Sequence, residues 1–271
     1  MNHKISSLAL SYIITKAVMF GLFTNLIIHL SGTSSIISVA IGSILSIALV
    51  LLGIYFRPKL IYNKPFKCLL IFYSITIIIL LLCNMIHFLS SVILFDTPIW
   101  FIGLLLIIPL IYICRLNQNT IYYMCNIIFV ISILLFFIYH TGSIPHIDIY
   151  SFNPININNN TYLAALILPL VTLFNLFPLI YLDNQFYCAK CIITGFILAL
   201  ICNLATIFSI ISILGIYLTK LYSFPEYMSY MRINFFFIDR FENFMLIALI
   251  FNFIILMSFH IFSIKKRLTA C

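Results

Sequence analysis

Long apolar runs alternate with short polar interruptions from one end of the chain to the other. Eight of these runs are long enough, at about 20 residues each, to be read as membrane spans. They cover approximately residues 8–30, 35–56, 68–94, 99–114, 121–139, 163–182, 191–217 and 244–264. The connector at 218–243 has a different pattern. There Phe224, Met228, Met231, Phe235 and Ile238 step by four and three, the spacing of one helix face. An amphipathic connector leading into the last span is therefore expected.

Polar residues inside the runs mark places where a span does more than cross. The first span contains Lys16, followed by Gly21, Thr24 and Asn25. A lysine within a span either snorkels to the interface or faces a cavity, and the sequence leaves both open. Gly21, Thr24 and Asn25 are compatible with a broken helix lining a polar pocket, and equally with close helix packing. Ser38, Gly42 and Ser46 follow at four-residue steps, a seam of small residues for a close helix neighbour. In the third span Asn84 and His87 are three residues apart and share a face. The sixth span contains Pro169 and Pro178 with Thr172 and Asn175 between them. Each proline frees a backbone carbonyl, so this span is expected to be the broken, site-forming helix.

Composition agrees with a membrane setting. Hydrophobic residues make up 64% and charged residues 7%, and the mean hydropathy is +1.22. A soluble fold needs far more charge to cover its surface. The first run also serves as targeting signal and is read as retained. Lys4, Arg57, Lys59, Lys64, Lys67, Arg115, Lys190, Lys265, Lys266 and Arg267 fall on one side of the eight-span topology, and Lys220, Arg232 and Arg240 on the other. The positive-inside rule then places both termini in the cytoplasm. The net charge of +8 is scattered over loops and gives no nucleic-acid footprint. The eight cysteines form no disulfide framework, and Cys188-x-x-Cys191 alone is weak evidence for metal or redox work. No cofactor or metal motif is present.

The interruptions carry turn and cap signals. Asp96-Thr97-Pro98 is read as a cap at the start of the fourth span, with Trp100 an interfacial anchor. The Asn-rich tract Asn153–Asn160 is read as an exposed, flexible loop. Asp239-x-x-Glu242 has the spacing of a capping box opening the eighth span, with Asp239 as N-cap.

Phe224-Pro225 followed by Tyr227, and then Ile238-Asp239-Arg240-Phe241-Glu242, resembles the spore germination permease family, the B-type subunits of tripartite nutrient germinant receptors. Asp96-Thr97-Pro98-Ile99-Trp100, Ile147-Asp148 and Leu168-Pro169-Leu170 look like further stations of that family in the same order. The resemblance runs loosely over the whole chain. It implies the fold of the amino acid/polyamine/organocation superfamily, with two inverted five-helix repeats and a site between broken first and sixth helices and the third and eighth. It also implies partners, an A subunit and a lipoprotein C subunit, at the inner membrane of a spore. The family has ten helices where this sequence reads as eight, ending at Lys265–Cys271, so a shortened version is expected. Asn175 and Pro178 stand where the family has a glycine-acid pair.

The expectation is thus an all-α, polytopic, single transmembrane domain over residues 1–271, a truncated leucine-transporter-like fold. It would bind a small nutrient such as an amino acid in a pocket of Gly21, Thr24, Asn25, Asn84, His87, Thr172 and Asn175. A lid marked by Phe224, Pro225, Tyr227, Asp239, Arg240 and Glu242 would cover it. A free-standing amino-acid transporter is the alternative. An enzyme is not expected, because the sequence has no His-x-x-x-His or paired-acid motif and caps and turns account for its other acids.

Overall fold

The computed structural model describes residues 3–62, 64–116, 118–152, 155, 157–180, 182, 187–233 and 240–268, with only the backbone described at 3–5, 22, 58–62, 64, 67, 114, 118, 173–178, 180 and 266–268. Among the described residues every regular element is helical. Helix α1 (His3–Val18) passes through a wide turn at Met19–Phe23 into α2 (Thr24–Ser31). A tight turn at Gly32–Ser34 leads to α3 (Ser35–Tyr62), which α4 (Lys64–Phe88), α5 (Ile99–Arg115) and α6 (Gln118–Ser143) follow. Then come α7 (Asn159–Ile180), α8 (Ala189–Leu221), the short α9 (Pro225–Met231) and α10 (Phe241–Leu268).

Five helical runs among the described residues are long and apolar enough to cross a membrane: Thr24–Arg57, Cys68–Ile93, Asn119–His146, Ala189–Leu221 and Phe241–Lys265. Ser6–Gly21 and Ile99–Ile113 are shorter apolar helices. Large apolar side chains such as Leu52, Phe72, Ile108, Ile127 and Leu134 face outward on α3 to α6. In water such a surface would be an aggregation hazard. Against hydrocarbon it costs nothing, and helices satisfy their own backbone there. This is the surface of a multi-pass membrane protein.

Two packed groups meet along α1 and α8. One joins α1 to α4, α5, α6 and α10 through residues such as Ile13, Met85, Ile102, Tyr122 and Phe253. The other joins α3, α7 and α8 through Val39, Val50, Leu168, Phe196 and Ile211. The small-residue seam on α3 faces α7. Ser38 Oγ donates to Thr161 O at 3.0 Å, and a Cβ on Gly42 would lie 2.6 Å from Ala165 O.

The sixth span departs from expectation, because α7 runs as one helix from Asn159 to Ile180, through both prolines. The break lies in the first span instead. The loop before α7 is tied down at its end, where Thr161 N–H donates to Asn158 Oδ1 at 3.1 Å and makes Asn158 a helix cap. At the start of α5 the N-cap position is Pro98, without a side-chain cap bond, and Asp96 is exposed and caps nothing. The expected Asp239 cap lies outside the described residues. The residue that precedes α10 is Arg240, at φ +65°.

The connector also differs from its predicted form. Between the end of α8 and the start of α10 the described residues form one short helix, Pro225–Met231, and Phe235 and Ile238 lie outside the described residues. Phe224 is buried as expected, but Met231 is 50% exposed, while Glu226, Tyr227, Ser229 and Tyr230 are buried. The connector turns its acid and its tyrosines inward, because it packs on an aromatic and polar surface rather than on a plain apolar one.

Candidate functional site

The site begins with a broken helix. Phe20 (φ −62°, ψ 132°) and Gly21 (φ +71°, ψ −94°) leave helical space between α1 and α2. Only glycine reaches the second conformation at low cost. The break strips backbone groups of their helical partners, and the protein supplies others. Asn84 Nδ2 donates to Phe20 O at 3.2 Å. Thr24 Oγ1 donates to Met19 O at 2.7 Å. Gly21 N–H donates to Glu226 Oε1 at 3.2 Å, across 205 residues of sequence.

Glu226 arrives on α9, which lies against the break. Pro225 opens this helix, where its missing N–H is not needed. The Phe224 ring stacks on Phe20 with centroids 6.1 Å apart and meets Phe88 edge-on at 4.8 Å. Tyr230 packs edge-on against Tyr139 at 4.7 Å, and the Tyr139 hydroxyl and Ser229 Oγ are 3.0 Å apart. Asn25 Nδ2 donates to Ser223 O at 3.3 Å. Side chains of α2, α4 and α6 thus hold the short helix in place.

Below α9, between α1, α6, α8 and α10, lies a cavity offering about 60 Å³ to the centres of water-sized spheres, room for a few waters or a small solute. Its wall is largely apolar and aromatic, with two charged side chains in it, Lys16 and Glu226. Lys16 Nζ donates to Thr206 Oγ1 at 2.7 Å and lies 5.7 Å from the Phe136 ring centroid. Three buried polar atoms of lining residues have no oxygen or nitrogen partner among the described residues: Tyr12 Oη, which has the Cys202 thiol beside it, Asn203 Nδ2 and Glu226 Oε2. Such atoms cost free energy unless something in the cavity meets them. Burial pushes the Glu226 carboxyl up to about 7, against the pull of Thr24, the Gly21 N–H and Lys16, which favour the charged form. The arrangement can bind a small polar solute and hold a proton near neutral pH.

The structure gathers part of the sequence-predicted pocket. Gly21 forms the break, Thr24 lines the cavity, and Asn84 serves the Phe20 carbonyl. Asn25 holds the connector rather than lining the cavity. His87 is exposed, 5.5 Å from the Phe224 ring. Thr172 donates to Leu168 O of its own helix at 2.7 Å, outside the cavity wall. The Asn175 side chain lies outside the described residues. Of the lid residues, Phe224, Pro225 and Tyr227 pack at the break, while Arg240 is exposed and Glu242 half-buried, neither lining the cavity.

Sequence reasoning missed Tyr12, Asn203, Thr206, Tyr139, Tyr230 and Glu226 as lining residues. One signal could have found the α8 contribution. Asn203, Thr206, Ser209 and Ser212 step by three along one face of an otherwise apolar helix, and all four are buried. Ser209 Oγ lies 3.0 Å from His140 Nδ1 of α6, so that polar stripe continues beyond the cavity. No family model matches the chain, and no curated protein is similar enough to it to count as a relative.

Proposed function

We propose that this chain is a membrane-embedded small-solute sensor, a shortened B-type subunit of a nutrient germinant receptor that works with A- and C-type subunits in the spore inner membrane. In this reading α1 with α2, then α3, α4, α5, α6, α7, α8 and α10 make eight crossings, with both termini cytoplasmic. The cavity takes a small nutrient such as an amino acid, and α9 is the movable wall on the outer side. Occupancy changes the seating of α9, and the partner subunits read that change as a shift between two states. One observation carries the reading: a helix broken at Phe20–Gly21 opens beside a cavity walled by one lysine, one glutamate and aromatic rings. The order of the connector signature in the sequence supports the family. The test is deletion. Spores lacking the chain should lose or weaken their response to at least one nutrient. Unchanged germination with every nutrient that triggers the parent would sink the reading.

A second reading, a proton-coupled carrier of a small solute, is favoured by Glu226, which supplies a titratable acid beside the cavity. It predicts solute uptake into proteoliposomes driven by a pH gradient and abolished in Glu226→Gln. A sensor without transport shows binding and no uptake.

A further inference from the structure

The starting end of α8 carries a pair of thiols that the cavity does not use. Cys188 is the N-cap residue of α8 and is extended (φ −134°, ψ 104°), and Cys191 stands in the first turn. Ile192 N–H donates to Cys188 O at 2.9 Å, so the turn between the two cysteines is closed. Residues three apart on a helix have Cβ atoms about 5–6 Å apart, and a disulfide needs about 3.5–4.5 Å. Cys188, lying outside helical space, makes up the difference by turning about its own backbone without unwinding α8. Both residues are half-buried, with the exposed Lys190 between them. A small reagent therefore reaches them where it does not reach Cys125 or Cys202, which are buried. Cations and a helix N-terminus favour the thiolate, the form that reacts. A second cation stands close by on α3. Arg57 stacks its guanidinium on the Tyr187 ring, 3.5 Å from the centroid, and its Nη2 donates to Leu182 O at 2.9 Å. Tyr187 in turn lies within electrostatic reach of Cys188.

We propose that Cys188 and Cys191 are a redox-active dithiol, a site at which a small disulfide closes a bridge that stiffens the junction of α8 with α1 and α3. The inference goes beyond the sensor reading and does not depend on it. One thiolate attacks a sulfur of the small disulfide, forming a mixed disulfide and releasing one small thiolate. The second cysteine, as thiolate, attacks the protein sulfur of that mixed disulfide and releases the other. The pair loses two electrons and two protons, the small disulfide takes them up as two thiols, and nothing else is consumed. In the eight-crossing topology this end of α8 faces the cytoplasm, where thiols are kept reduced. The resting form is then the dithiol, and the bridge reports oxidation. The packing gives the bridge something to act on. Ile192 O, one residue past the pair, accepts the Ser11 hydroxyl of α1 at 2.9 Å. Gly195, one turn on, has the α1 backbone at Leu8 in the place of a Cβ. Helix α1 is the one that contributes Lys16 to the cavity and ends at the break. On the other side of the pair Arg57 clamps Tyr187, so a bridge at Cys188 joins the loop and the helix start into one piece.

The experiment uses the full chain in lipid nanodiscs, exposed to glutathione disulfide, quenched with N-ethylmaleimide and mapped by peptide mass spectrometry. The peptide that holds both cysteines should lose two hydrogens, and dithiothreitol should restore them. Cys68, exposed on α4, is the internal comparison. The pair should react roughly tenfold faster than Cys68 or more, the effect of a stabilised thiolate with a resolving neighbour. Cys188→Ser and Cys191→Ser should each stop at the mixed disulfide with glutathione on the remaining sulfur. In the oxidised parent the amides of residues 189–193 should exchange roughly threefold slower or more than in the reduced parent, a change absent from both serine variants. The proposal is overturned if the parent stops at the mixed disulfide, or if the pair reacts no faster than Cys68. It is equally overturned if the bridge forms and leaves exchange unchanged. The parent supplies all three readings by itself, so a serine variant that does not fold removes none of them. Germination is not read at any step, so the sensor reading stands or falls separately.

Discussion

Two interruptions of helical hydrogen bonding in this chain, at Pro169 of α7 and at Phe20–Gly21, have opposite outcomes, and only at the second does the helix break. In α7, Pro169 lacks the N–H that would bond to Ala165 O, yet the helix runs on from Asn159 to Ile180. Proline holds φ near −65°, which is a helical value, so the loss is one hydrogen bond and a local crowding rather than a change of direction. Gly42 of α3 meets the freed carbonyl. The position of its missing Cβ is 2.6 Å from Ala165 O, so the hydrogen in that place points at the oxygen and makes a weak C–H···O contact. At the junction of α1 and α2 the backbone turns to φ +71° at Gly21. There the freed groups are met by polar side chains from far along the chain, Asn84 and Glu226. A proline interruption can be covered by close packing. A glycine interruption opens polar backbone, and polar backbone inside a membrane protein calls for polar company.

The largest effect is expected where the covered interruption is forced open. Gly42→Leu puts a side chain into backbone of α7 that has no room to yield, and overpacking of this kind costs upwards of about 3 kcal/mol. The α3–α7 contact should fail, read as loss of the folded peak in size-exclusion chromatography and of the thermal transition. Recovery of parent-like stability would mean that the seam is not as tight as the Gly42–Ala165 approach implies. Gly21→Ala comes next. It carries the strain of a positive φ, about 1–2 kcal/mol, and its methyl meets the Phe224 ring at 2.7 Å. The ring can move, so the expected loss is about 2–3 kcal/mol with faster exchange in α9. Adding Phe224→Ala should remove the clash and leave the strain. A double-mutant cycle with no coupling between the two positions would break the claim that ring and break are fitted to each other.

The helices themselves were legible in the sequence, because apolar runs of that length have few alternatives. α5 begins at Ile99, as its run does. The choice of which helix breaks was not. Two prolines with Thr172 and Asn175 between them are a stronger local signal than a single glycine, but local signals do not say who will cover a freed carbonyl. Gly42, 127 residues before Pro169, answers that. Glu226 was hidden in the same way. Among the acids of the connector it has no distinguishing spacing, and the face expected to be buried there, Phe224, Met228 and Met231, follows a rule for helices that pack on apolar surfaces. α9 is seven residues long and packs on Phe20, Phe88 and Tyr139, so those contacts set its rotation. Lys16 was visible as a charge in a span, and only the place of Thr206 decides that it faces the cavity.

The polar company at the break can be tested from the Asn84 side. Asn84→Ala leaves Phe20 O buried without its donor, for an expected cost of about 1–3 kcal/mol. Since Asn84 sits on α4 and is not among the residues lining the cavity, the loss should appear as a lower melting temperature together with faster exchange around Phe20–Gly21. Lost stability with unchanged exchange at the break would instead assign Asn84 to general packing.

Pro169→Ala is the gentlest change and the sharpest probe of the comparison. The alanine supplies an N–H to Ala165 O and removes the crowding of the ring, both favourable in a helix interior. It also shifts a backbone on which Gly42 of α3 is closely packed, which offsets part of the gain. The net change should lie within about 1 kcal/mol and be neutral or stabilising. Combined with Gly42→Ala it becomes informative, because in the parent that methyl displaces the only cover Ala165 O has among the described contacts, whereas in the alanine background the oxygen already holds an intrahelical bond. Gly42→Ala should therefore cost less in Pro169→Ala than in the parent, a positive coupling measurable by thermal melting of the four chains. Equal costs in the two backgrounds would show that Gly42 matters for space alone and that the carbonyl freed by Pro169 needs no cover.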